Sequence, residues 1–159
     1  MHFVVVSGPD GDVNDHELPC ELSKVSHIVV PESQFPATIH FPAAEFRRIS
    51  LQLHELGKSF EVRVRTERVD FCMVDRFSCP VASLEPRCSD DVKVRVALDV
   101  HKPVTVNFAT HFLPHFAEAA SVSDSVELCV GADAPLLVRF ELASNVGSSL
   151  KFFLAPLAL

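Results

Sequence analysis

Two amphipathic helix patterns, each introduced by a short apolar strand and followed by more strands, set the tightest limit on how this 159-residue chain can fold. In the first, Thr38-Ile39-His40-Phe41 reads as a strand and Pro42 stands where a helix begins. Phe46, Ile49, Leu53 and Leu56 then recur at steps of three and four residues until Gly57 stops them, which places all four on one helix face. Phe60-Glu61-Val62-Arg63-Val64-Arg65 alternates without a break, apolar on one face and charged on the other, as a strand with one buried side does. Val69–Val74, Val81–Leu84 and Val92–Leu98 supply further strands. The second pattern starts with the strand Pro103–Phe108 and continues into a helix from Thr110 to Ala120. Thr110 is placed to cap that helix, and Pro114 falls in its first turn, where a missing amide costs little. Strands at Val126–Val130, Leu136–Leu142 and Leu150–Leu154 close the chain. The order of elements therefore repeats although the residues do not, and an α+β domain with an internal β-α-β-β-β repeat is expected.

The N-terminal part is different. Phe3–Val6 is β-branched and apolar, Gly8-Pro9-Asp10-Gly11-Asp12 is a turn cluster, and Asp15–Leu22 can pair back as a second strand. Lys24–Phe35 carries no clean period, includes Pro31 and is followed by Pro36, so it reads as a linker or surface loop.

Composition excludes several function classes. An apolar fraction of 48% and a positive mean hydropathy rule out general disorder. No apolar run reaches the roughly 18 residues of a membrane span, and no secretory leader pattern opens the chain, so neither a membrane nor secretion is expected. The five cysteines, an odd number without a Cys-x-x-Cys, suit reduced thiols in cytosol or nucleus. With 14 basic and 21 acidic side chains the formal charge is −7, so any contact with nucleic acid has to come from a local patch. His111 and His115 lie four apart on the second helix, but there is no His-Glu-x-x-His and no evident third ligand. The five glycines form no phosphate loop, and no serine has a Gly-x-Ser-x-Gly context. The residues point to surfaces rather than to a nucleophile.

Several segments carry a resemblance. They are Asp15–Leu22, Val30-Pro31-Glu32-Ser33-Gln34-Phe35, Pro42-Ala43-Ala44-Glu45-Phe46-Arg47-Arg48-Ile49 and Pro103–Ala109 continued by His111-Phe112-Leu113 and Phe116. Ala132-Asp133-Ala134-Pro135-Leu136-Leu137-Val138 and Ser149-Leu150-Lys151-Phe152-Phe153-Leu154-Ala155-Pro156 complete the set, and the Leu-Ala-Pro ending after two aromatics is the most specific part. In these segments the chain resembles the eukaryotic DNA sliding clamps, the proliferating cell nuclear antigen family. The resemblance implies a DNA-clamp fold with one complete domain of two β-α-β-β-β units and helices on one face of antiparallel sheets. It divides the chain into the remnant hairpin of an N-terminal clamp domain (1–23), an interdomain connecting loop (24–35) and a C-terminal clamp domain (36–159). A family subunit carries two such domains, so a fragment, a gene half and a shortened paralogue all fit.

The resemblance also implies no enzyme, no cofactor and a nuclear setting in replication and repair. Its peptide pocket would use Ile28, Val30, Pro31 and Phe35 from the loop, Pro135, and Phe153, Leu154, Ala155 and Pro156. Its occupants would be proteins with a short glutamine–aliphatic–double-aromatic motif: polymerases, nucleases, ligases and the clamp loader. Independently of the family, proline-flanked apolar residues on a loop form the kind of concave patch that takes aromatic anchors. The DNA-facing residues would be Arg47, Arg48, His111 and His115, for weak non-specific contact with duplex DNA. Leu51, His111 and Glu118 stand where the family has basic residues, which leaves this face nearly neutral. Subunit contacts would join Asp15, His16, Glu17, Leu18, Cys20 and Leu22 of one chain to Cys79, Val81, Ser83 and Leu84 of another, in a homo-oligomer or with a separate N-terminal half. Pro19 and Pro80 each remove a ladder amide from those edges. A second reading stays open: a peptide-binding adaptor or competitor that never encircles DNA.

Overall fold

The computed structural model describes residues 2–6, 13–17, 35–74, 79–142 and 148–157. The chain divides into two compact units, Met1–Glu32 and Ser33–Leu159. In the first, β1 (His2–Val6) and β2 (Val13–Glu17) form an antiparallel hairpin with His2 opposite Glu17 and Val6 opposite Val13.

The second unit contains β3 (Ala37–Pro42), α1 (Ala43–Leu56), β4 (Ser59–Val64), β5 (Val69–Met73), β6 (Pro80–Leu84) and β7 (Ala97–Val100). It continues with β8 (Val104–Ala109), α2 (Leu113–Ala119), a 3₁₀ turn at Ala120–Val122, β9 (Ser125–Val130), β10 (Leu136–Glu141) and β11 (Ser149–Leu154). Two antiparallel sheets result, ordered β11-β10-β9-β3-β7 and β6-β5-β4-β8.

The two repeats are not two lobes. The first strand of each lies in the sheet of the other: β3 pairs with β9 from Ala37–Val130 to Pro42–Ser125, and β8 pairs with β4 from Ser59–Ala109 to Val64–Val104. The outer flank of β3 is covered by β7. The corresponding flank of β8 carries only a bridge from Phe108 to Pro156 and the Leu157 N–H, which donates to the Asn107 carbonyl at 2.8 Å. The C-terminal tail thus completes the second repeat in abbreviated form.

Alternation decides the faces. Phe60, Val62 and Val64 of β4 and Val104, Val106 and Phe108 of β8 point into the core, while Glu61, Arg63 and Thr105 point out. On α1 the buried stripe is Ala43, Phe46, Ile49, Ser50 and Leu53, and α2 contributes Leu113, Phe116 and Ala117. Phe140 of β10 is fully buried, with Phe46 edge-on at 5.6 Å and Phe152 at 6.2 Å; Phe116 stacks on Phe152 at 4.7 Å. These aromatic contacts seat both helices on the five-stranded sheet.

Two local expectations are corrected. Val92–Leu98 is not a continuous strand: residues 92–94 form a turn, and only Ala97–Val100 runs in the sheet. The Asp91 carboxylate accepts the Lys93 N–H at 2.9 Å, and the Asp91 carbonyl accepts the Val94 and Arg95 N–H groups at 3.1 Å. That local side-chain bonding outweighs the β-branched composition. Thr110 does not cap α2, which begins three residues later at Leu113. Its hydroxyl instead donates to the Gly57 carbonyl at 2.6 Å, tying the entry of α2 to the end of α1.

The buried and exposed phenylalanines of the paired strands β10 and β11 are expected to separate cleanly in stability. Phe140→Ala should cost about 3–5 kcal/mol through transfer and cavity terms, and Phe153→Ala about 0.5 kcal/mol or less. Urea unfolding followed by circular dichroism measures both.

Candidate interaction surfaces

At the C-terminal strand the alternation of β11 splits its neighbouring residues. Leu154 lies opposite Leu136 and is only 4% exposed, so its side chain belongs to the core. Phe153 lies opposite Leu137 on the outer face and is 41% exposed. Ala155 and Pro156 follow, both exposed, with the tail held on β8 by the Leu157 amide. Pro135 is half-buried immediately before β10, whose first residue, Leu136, faces Leu154. Phe35 is half-buried at the entry to β3, whose first residue, Ala37, faces Val130. Phe35, Pro135, Phe153, Ala155 and Pro156 are therefore gathered at one end of the five-stranded sheet.

Gly131 makes the approach of the loop end possible. A Cβ there would sit 3.3 Å from the Ala134 Cβ, 3.4 Å from the Pro36 Cδ and 3.7 Å from the Phe35 ring. Beside Pro156 a cavity of about 530 Å³ is lined by Glu61, Thr105, Asn107, Asp133 and Leu157 among others. Ile28, Val30 and Pro31 lie outside the described residues. Leu137 and Leu157 are neighbours of these residues that the sequence did not single out. Leu137 was legible only with the β10–β11 register, which puts it beside Phe153.

The helix pair offers the second surface. Its ends are pinned. The Thr110 N–H donates to the Lys58 carbonyl at 3.0 Å, and the Ala43 N–H donates to the Asp124 carbonyl at 3.0 Å. The start of α2 thus meets the end of α1 and the reverse, so the helices run antiparallel. Arg47 is exposed and has no ion-pair partner among the described residues. Arg48 is engaged: its guanidinium donates to both Glu45 oxygens at 2.5 and 3.0 Å and to Gln52 at 2.8 Å. That hydrogen bonding holds the Glu45 carboxyl below its ordinary range, against the opposing effect of partial burial. The pair stays charged and self-neutralised, which removes Arg48 as a free cation. His111 and His115 are both exposed. His54 on α1 and Lys58, two residues past its end, are also exposed.

The third surface is the edge of the four-stranded sheet. Among the described residues β6 pairs on one side only, with β5. Ser83 faces outward, while Ala82 and Leu84 enter the core and Val81, half-buried, packs against it. Pro80 lies opposite Cys72 across a register shift at the start of the strand, where its missing amide interrupts little of the ladder. The Ser83 hydroxyl donates at 2.6 Å to Asp70, a carboxylate only 3% exposed that also accepts Arg68 Nε at 2.9 Å. Cys79 is exposed just before the edge. Asp15, His16 and Glu17 lie in β2, paired to β1; Leu18, Cys20 and Leu22 lie outside the described residues.

Two interlocked β-α-β-β-β units with both helices on one face and free-standing antiparallel sheet edges define the DNA-clamp fold. The chain belongs to the proliferating cell nuclear antigen family: the family's C-terminal domain matches residues 29–157. Over 157 residues the chain is 26% identical to the proliferating cell nuclear antigen of Chaetomium thermophilum, covering 98% of this chain and 60% of that protein. The chain thus spans less than two thirds of the length of that relative. The family consists of clamps, not of enzymes.

Thiol reactivity should follow this geometry. Burial, with the Glu127 carboxylate adding to it, pushes the Cys129 thiol up to about 11, and burial also raises Cys72. Both remain protonated at pH 8, and only a thiolate attacks. Iodoacetamide at pH 8 should label exposed Cys79 and Cys88 within minutes, and Cys72 and Cys129 only on unfolding. Peptide mass mapping over a time course reads the order.

Proposed function

We propose that the chain acts as a DNA sliding clamp-type processivity factor and docking platform for replication and repair proteins in the nucleus. The observation that carries this reading is the gathering of Phe35, Pro135, exposed Phe153, Ala155 and Pro156 at one sheet end, beside a tail anchored on β8. An exposed aromatic flanked by prolines on a rigid strand end is a seat for the aromatic anchors of a partner tail. The occupants are proteins with a glutamine–aliphatic–double-aromatic motif, such as polymerases, nucleases, ligases and the clamp loader. The one-sided edge at Cys79–Leu84 takes the segment 15–22 of a second copy or of a separate N-terminal half by strand addition.

Arg47, with His111 and His115, faces the duplex; Arg48 contributes position more than free charge because Glu45 holds it. This near-neutral face favours a second reading, an adaptor or competitor that binds partner tails without encircling DNA. The two readings share the peptide pocket and part at the helix face.

A double-aromatic partner peptide titrated by calorimetry should bind, with affinity falling about tenfold or more in Phe153→Ala and Pro135→Ser. Unchanged affinity in both variants would move the pocket elsewhere. Fluorescence anisotropy with a short duplex across a salt series should give weak binding without sequence preference. The slope of log K against log salt should be about −2, for Arg47 and Lys58 as the free cations. Tight binding at physiological salt that is insensitive to Arg47→Ala would place the DNA contact on another face.

A further inference from the structure

In the second unit four strands form the edges of the two sheets, and among the described residues three of them are guarded. β6 opens with Pro80 and carries a register shift against β5. β7 is four residues long and exposes Asp99. It is led in by Val96, whose N–H donates to the Arg87 carbonyl at 3.0 Å and whose carbonyl accepts the Arg87 N–H at 2.9 Å. β8 is met by the tail, through the Phe108–Pro156 bridge and the Leu157 N–H. Prolines, bulges, short length, charges and covering segments are the devices that keep sheet edges from pairing with other chains. β11 has one charge, Lys151, and none of the others. Its six residues run in unbroken register with β10, include no proline, and four of them are apolar.

Leu150, Phe152 and Leu154 share the helix side of β11, where Phe152 packs on Phe116 and Phe140; Ser149, Lys151 and Phe153 share the outer side. Leu150 remains 38% exposed and Phe153 41%, one large apolar side chain on each face of the edge. The strand matches itself. Opposed residues of an antiparallel pair lie on the same face of the sheet, so a two-fold axis normal to the sheet has to pass beside one residue of each strand. Two such centres overlap most of β11. An axis at Lys151 sets two ammonium groups against each other, which is unfavourable. An axis at Phe152 sets Leu150 opposite Leu154 of the second copy, Phe152 opposite its counterpart, and Lys151 opposite the Phe153 ring, a pairing of cation and aromatic face.

We propose that β11 is a self-pairing edge, at which two copies of this chain join β11 to β11 antiparallel about an axis at Phe152. The two five-stranded sheets become one, with both helix pairs on the same face. Such a contact uses the same patch on both copies, the commonest route to a closed dimer. It is independent of the β6 edge and of the peptide-binding reading. A single strand pair buries less than a standard interface, so the dimer is weak, with a dissociation constant on the order of 10–100 μM.

The test is sedimentation velocity of the full chain across concentrations that bracket this value, with circular dichroism of every variant. The wild-type protein should pass from monomer to dimer. Leu150→Lys, which puts a charge into the helix-side row, should weaken the dimer about tenfold or more. Lys151→Glu, which sets an anion against the Phe153 ring, should weaken it about threefold or more. Under mild oxidation, Lys151→Cys mixed with Phe153→Cys should give a disulfide between positions 151 and 153, identified by peptide mapping, whereas Lys151→Cys alone should give no 151–151 link. Ser83→Pro, on the β6 edge, should leave the dimer intact. A chain that stays monomeric throughout overturns the proposal, as does a 151–151 link or association that survives Leu150→Lys with its native circular dichroism. If Ser83→Pro abolishes association and Leu150→Lys does not, the contact lies on the β6 edge; strand addition there then stands and self-pairing of β11 fails.

Discussion

The exchange of first strands between the two repeats is the constraint on which the rest of the domain depends. Each repeat supplies three consecutive strands and then lends its first strand to the other, through the ladders β3–β9 and β8–β4. Neither sheet is complete without residues distant in the chain. Backbone amides of β3 and β8 that would be orphaned in an isolated repeat are satisfied only in the whole domain, so the two repeats must fold together. The same exchange brings α1 and α2 side by side, because each helix follows directly on a lent strand.

That arrangement separates the surfaces by chemistry. The helices close over the apolar inner rows, where Phe46, Phe116, Phe140 and Phe152 interlock. The outer faces of the sheets are left to charged ladders such as Arg139 with Glu127 and Glu141, at 3.4 and 3.0 Å. Strand ends and edges are where the backbone or an aromatic ring remains available, and both exposed Phe153 and the β6 edge lie there.

Charge on the helix face is governed by pairing rather than by count. Arg48, which the sequence marks as a cation for DNA, spends its guanidinium on Glu45 and Gln52. An acidic chain with net charge −7 can present such a surface because the potential near a phosphate depends on charges within a Debye length, about 10 Å at 0.1 M salt.

Much of this was legible in the residues. The steps Phe46–Ile49–Leu53 and the alternation from Phe60 to Val64 determined α1 and β4, because periodicity and burial are local in sequence. The terminal Phe152-Phe153-Leu154-Ala155-Pro156 block pointed to the family before any geometry was known. The tertiary structure alone decided the rest. It showed that Phe153 faces out while Leu154 is core, since a strand has two faces and only its register against β10 says which is solvent. It turned Thr110 from a cap into a tie between the helices and broke Val92–Leu98 at Asp91. Each of those outcomes depends on partners supplied from elsewhere in the chain, or on a local hydrogen bond that competes with propensity; one-dimensional pattern records neither.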